Sequence, residues 1–141
     1  MSEPVSPVPS PQPRLSAEEN VFVEAPARLH FGVLDLRGSL GRGFGGIGAA
    51  APGLSLLVSA SPAAALDVTG EDADRAAAFA RQFLAYHQLT GGARVRIHRA
   101  LPVHSGLGSG TQLALAVARA LAEMYGLEGQ RFGESTGRVE L

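Results

Sequence analysis

Between Arg94 and Tyr125 an alternating apolar pattern runs into a glycine-rich turn and then into a helical pattern. Arg94 to Leu101 reads as a strand, with Val95 and Ile97 alternating against Arg94, Arg96 and His98. Thr111 to Tyr125 reads as a helix with Leu113, Val117, Ala120, Leu121 and Met124 on one stripe, stopped by Gly126. The connection, Pro102-Val103-His104-Ser105-Gly106-Leu107-Gly108-Ser109-Gly110, leaves the chain little choice. It must turn sharply from a buried strand and open a buried helix. Such a junction presents free backbone N–H groups at the positive end of a helix dipole, where anions bind. Gly106 and Gly108 permit positive φ and close approach of backbone to a ligand. Ser109 or Thr111 can cap the helix through its hydroxyl. A phosphorylated small molecule is the ligand class this pattern favours.

Composition narrows the chemistry. All 12 basic residues of the 141 are arginine, so a lysine Schiff base and a phosphate-binding lysine are excluded. No cysteine is present, which excludes disulfides, thiolate nucleophiles and Cys-ligated metals and agrees with a cytoplasmic location. A net charge of −1 provides no basic field for nucleic acid. No apolar run is long enough to span a membrane, and the N-terminus lacks the order of a secretion signal.

Along the chain, residues 1–19 carry five prolines and are expected to form a disordered tail, with 20–141 as one domain. Val21 to Ala25 and Leu29 to Leu36 read as two strands separated by Pro26. Arg37 to Gly48 holds six glycines and reads as loop, followed by a strand from Gly53 to Ala60 and a short one from Ala65 to Thr69. Glu71 to Leu89 reads as a helix opened by acids, with Ala76, Phe79, Ala80, Phe83 and His87 on one face. Strands followed by helix, strand and helix predict an α+β fold, its helices packed on one face of a mixed or antiparallel sheet.

Other glycine-loop chemistries fail on the residues present. A Walker loop needs a lysine. Gly41 to Gly46 spells a dinucleotide fingerprint but leads into Ala-Ala-Ala-Pro and a strand instead of a helix. Pro102-x-x-Ser105-Gly106-Leu107-Gly108-Ser109 resembles the phosphate loop of the GHMP kinase superfamily, with Gly110 where many members carry a second serine. Ala25-Pro26-Ala27-Arg28-Leu29-His30-Phe31-Gly32 resembles its N-terminal motif, with Arg28 where lysine is usual. Arg28 to Leu36, Gly41 to Gly48 and the run His104 to Ala114, with its Ser-Gly-Thr-Gln variant, are similar to the β-ribofuranosylaminobenzene 5′-phosphate synthase branch.

That resemblance spans about Val21 to Tyr125 and implies a domain like ribosomal protein S5 domain 2. It also implies that the chain lacks the second, C-terminal GHMP domain, so that it is truncated and its activity alone is in question. The implied reaction joins phosphoribosyl pyrophosphate to 4-aminobenzoate or 4-hydroxybenzoate, releasing CO2 and pyrophosphate, as in methanopterin biosynthesis. Substrate contacts would come from Arg28, His30, His104, Ser105, Gly106, Leu107, Gly108, Ser109, Gly110 and Thr111. Asp35 and Arg42 are the candidate catalytic groups: an acid to hold a metal, orient a ribose hydroxyl or offset oxocarbenium charge, and a guanidinium to clamp phosphate or carboxylate. No spacing of acids and histidines indicates a structural metal; Mg2+ bound with the diphosphate is compatible with the reaction, though no residue pattern in the sequence shows it. A homodimer is a compatible assembly. An ATP-dependent small-molecule kinase and a non-catalytic S5-like binding module remain the alternatives.

Overall fold

The computed structural model describes residues 9–33, 37–39, 41 and 45–127. Its elements run β1 (Val21–Val33), β2 (Gly46–Ala63), β3 (Asp67–Gly70), α1 (Ala73–Tyr86), β4 (Gly92–Arg99) and α2 (Ser109–Tyr125). They form a four-stranded sheet in the order β1-β2-β4-β3, with β3 parallel to β4 and the other pairs antiparallel. This is the α+β arrangement expected from the order of the patterns.

The core lies between the sheet and the two helices. In α2 the stripe Leu113, Val117, Ala120, Leu121 and Met124 is buried as its 3.6-residue spacing demands. It packs with Val58 and Ala60 of β2 and with Val95 and Ile97 of β4. Each large apolar side chain buried this way contributes about 1.5–3 kcal/mol. Helix α1 adds Ala76, Ala80 and Leu84, with Phe79 and Phe83 partly buried. His87 closes that face, its ring 4.4 Å from that of Phe83. On the other side of the sheet, Arg94, Arg96 and His98 are exposed, and His98 Nε2 lies 2.8 Å from Ser59 Oγ.

Pro26 does not end a strand. β1 runs through it, and the sheet absorbs the proline by a register shift: Pro26 pairs with Ser55, whereas Ala27 pairs with Ala51. Residues 52–54 therefore bulge from β2. Proline cannot donate to a ladder, so a bulge beside it is the low-cost solution. Ser55 Oγ donates to Glu24 Oε1 (2.5 Å), and Arg99 bridges the same carboxylate (2.9 Å) and the Ser55 carbonyl (2.8 Å), tying the bulge down. β2 also starts earlier than the glycine content predicts. Gly46 and Gly48 are strand residues: a Cβ at Gly48 would stand 2.7 Å from the Leu29 carbonyl oxygen, so glycine there permits close approach of two backbones.

Both helix starts differ from expectation. α1 begins at Ala73, after Asp72 in the left-handed region (φ 62°), and the Asp72 carboxylate pairs with Arg75 instead of capping the helix. α2 begins at Ser109 behind Gly108 (φ 70°), and neither Ser109 nor Thr111 caps it. The end of α2 follows the sequence: Gly126 (φ 67°) turns the chain, and the Leu127 N–H returns to the Ala122 carbonyl at 2.8 Å. In the segment expected to be a tail, the Arg14 N–H donates to the Met124 carbonyl (2.8 Å) and Leu15 packs against the core.

Tyr125 joins the end of α2 to the start of β4, its hydroxyl donating to the Gly92 carbonyl at 3.0 Å. Burial raises the phenol above its ordinary pKa. The folded state then holds this proton more tightly than the unfolded chain does. The stability it supports is complete below a pH of about 10 and is lost as pH climbs past it. Lysine and cysteine, whose titration would overlap that range, are absent from the chain. Tyr125→Phe is expected to cost about 1 kcal/mol at neutral pH and to flatten the alkaline loss. Urea midpoints of both proteins from pH 8 to 11 check this; parallel curves would contradict it.

Candidate functional site

The turn between β4 and α2 has a backbone form that the sequence only partly foretells. Positive φ occurs at His104 (56°), Gly106 (72°) and Gly108 (70°), and at neither Ser105 nor Leu107. Such alternation in the sign of φ folds successive N–H groups toward one concavity, the geometry of an anion-binding nest. Glycine adopts positive φ freely, whereas His104 does so at a cost, and backbone strain of this kind collects at binding sites. Ser105 Oγ donates to the Pro102 carbonyl (2.7 Å), so this hydroxyl stitches the turn.

Next in the chain come the N–H groups of Ser109, Gly110 and Thr111. They precede the first intrahelical bond, from Gln112 N–H to the Gly108 carbonyl at 2.9 Å. No side chain caps them and no acid sits in the first turn of α2. The positive end of the helix is thus left open.

Arginine flanks that end from two directions. Arg28 of β1 lies against the turn: its N–H donates to the Leu107 carbonyl (3.0 Å), and its Cβ would be 3.7 Å from a Cβ built on Gly108. Arg75 comes from α1, its Nη1 3.5 Å from where a Gly110 Cβ would be. Its Nε is buried without a hydrogen-bond partner, and its Nη2 meets Asp72. Cations beside a helix N-terminus work against the dipole, so this pairing favours an anionic occupant. Arg75 carries no sequence signal of its own; its guanidinium lies beside Gly110, where a Cβ would meet it in ordinary van der Waals contact.

The remaining expected residues divide by position. His104 is exposed within the turn, and Leu107 is half-buried beneath it. His30 lies on β1 two residues beyond Arg28, its ring over Gly46. Asp35 and Arg42 fall outside the described residues. A groove of about 530 Å3 lies along the β2 bulge, lined by Glu24, Leu54, Ser55 and Arg99 among others, and its charged groups already satisfy one another. Among the described residues, no group of three or more His, Asp or Glu is placed to hold a metal. No helix among them is long and apolar enough to cross a membrane.

The model of the GHMP kinases N terminal domain matches residues 73–134, which take in α1, β4, the turn and α2. The β-ribofuranosylphenol 5′-phosphate synthase of Archaeoglobus fulgidus is 36% identical over 110 residues, covering 74% of this chain and 34% of that protein. The synthase of the same name from Methanocaldococcus jannaschii is 34% identical over 124 residues, covering 77% and 37%. The chain thus spans about a third of the length of these curated relatives. A 4-(cytidine 5′-diphospho)-2C-methyl-D-erythritol kinase shares the fold at a TM-score of 0.62 and 25% identity, over 77% of this chain and 42% of that one. The sequence match, the relatives and the fold agree that this chain carries a GHMP kinases N-terminal domain.

Proposed function

We propose that the turn 102–108 and the start of α2 bind the diphosphate of phosphoribosyl pyrophosphate, in a pentosyltransferase of the ribofuranosylphenol phosphate type. The open α2 N-terminus, with a nest before it and Arg28 and Arg75 beside it, carries this proposal. The fold alone would serve a kinase equally well, since one fold hosts many reactions. What favours the transferase is the likeness to proteins named β-ribofuranosylphenol 5′-phosphate synthase. A phenol product also favours 4-hydroxybenzoate over 4-aminobenzoate as the aromatic partner.

In the proposed reaction the bond from ribose C1 to the diphosphate oxygen breaks, and the oxygen keeps the electron pair. Backbone N–H groups of the nest and first turn stabilise that leaving charge, and they are oriented before reaction. The ring carbon that bears the carboxylate attacks C1. The electrons of its bond to the carboxylate return to the ring, and CO2 departs. Arg28 and Arg75 hold phosphate oxygens through charge-assisted hydrogen bonds. With no acid in the first turn of α2, a magnesium ion here would be carried by the diphosphate and would add charge neutralisation. Asp35 and Arg42 keep their proposed catalytic roles.

Calorimetric titration with phosphoribosyl pyrophosphate and with ATP separates this reaction from a kinase's. Binding of the first without the second is expected; ATP binding alone would favour the kinase. A full-length protein supplied with either benzoate would show which one releases CO2. Gly108→Val forces a β-branched residue to φ 70° and should lower pyrophosphate affinity by about tenfold or more. Arg75→Gln removes one charged hydrogen bond, and the loss should also be about tenfold or more, shrinking as salt is raised. Unchanged affinity in Arg75→Gln would remove this arginine from the site.

A further inference from the structure

The described residues bury three polar side chains, Ser59, Ser61 and Gln112. Gln112 is the largest of them and stands on the inner face of α2, one turn before the buried Ala116. An apolar residue of similar length would suit that face without desolvation cost, and a buried amide is tolerated only when hydrogen-bonded. Gln112 Nε2 donates to the Pro26 carbonyl at 2.6 Å, across 86 residues of sequence.

The acceptor is placed by the strand's own irregularity. Pro26 is the last residue before β1 shifts register. Two residues on, the Arg28 N–H donates to the Leu107 carbonyl. β1 therefore holds the turn at two points, before the anion-binding segment at Leu107 and after it at Gln112. Between them lie Gly108, Ser109, Gly110 and Thr111, whose N–H groups have no side-chain cap to order them. An uncapped helix start tends to fray, and a site made of backbone donors works only while those donors stay aimed.

Resting on the phosphate-binding reading of the turn, we infer that Gln112 is a positioning residue: its bond to Pro26 locks the first turn of α2 so that the loop N–H groups converge on a diphosphate. Gln112 acts through the backbone and touches no ligand.

The test uses the 141-residue chain with inorganic pyrophosphate as the probe. Gln112→Met keeps length and burial and removes the donor. Val117→Ala, one turn further along the same buried face, supplies a variant destabilised by a lost core contact alone. Gln112→Met should bind pyrophosphate about tenfold more weakly, while Val117→Ala stays within about twofold of the parent. Amide exchange at residues 109–111 should speed up in the first variant and not in the second. Should the Met variant fail to fold, Gln112→Asn, one methylene too short to reach Pro26, serves the same comparison. Parent-like affinity and exchange in the Gln112 variant, or an equal loss in Val117→Ala, would overturn the inference and leave the phosphate loop standing. A parent chain that does not bind pyrophosphate would overturn both.

Discussion

Burial of the inner stripe of α2 against β2 and β4 is the constraint on which the rest depends. Leu113, Val117, Leu121 and Met124 fix the rotation and height of the helix over Val58 and Val95. Close packing permits little slippage, so the first turn is delivered to one place above the sheet. The placement of the free N–H groups at the start of α2 follows from this. A helix of another pitch or register would point its free N–H groups into the core or into open solvent.

Pro26 is the second organising element. In an ideal sheet it would be a defect. Here the missing N–H produces a bulge, the Glu24, Ser55 and Arg99 contacts stabilise it, and the neighbouring Pro26 carbonyl meets Gln112. The strand irregularity and the loop geometry are thus one structural feature seen from two sides. Surface ion pairs such as Arg99 with Glu24 contribute only about 0–1 kcal/mol, so their value lies in geometry.

The electrostatic design follows from a lysine-free composition. Arginine is always charged and holds phosphate oxygens in a planar fork, which suits a fixed binding role. Arg75 of α1 reaches the start of α2 while paired with Asp72, and Arg28 of β1 lies against the turn before it. Under the proposed function, such a cradle would serve a diphosphate whether it leaves a sugar or belongs to a nucleotide. The fold is shared with a kinase while the sequence resembles synthases, since one fold hosts many reactions.

Local patterns determined much. The α2 stripe, the alternation of β4, the glycine stop at Gly126 and the positive φ of Gly106 and Gly108 all arise from interactions within a few residues, which periodicity and glycine placement report. Other features arise between segments distant in sequence. That β1 continues through Pro26 depended on β2 having residues to spare for a bulge. That Gly46 and Gly48 are strand depended on β1 lying against them. Asp72 read as a helix-opening acid, and only the neighbouring Arg75 turned its carboxylate away from the helix end. Arg75 itself, and Gln112 as a partner for Pro26, were invisible because a side chain's role is set by what the fold brings beside it. The sequence by itself determined that a glycine-rich turn opens α2; the tertiary structure decided which side chains lie beside that turn and what ties it to β1, because those contacts join residues that chain order keeps apart.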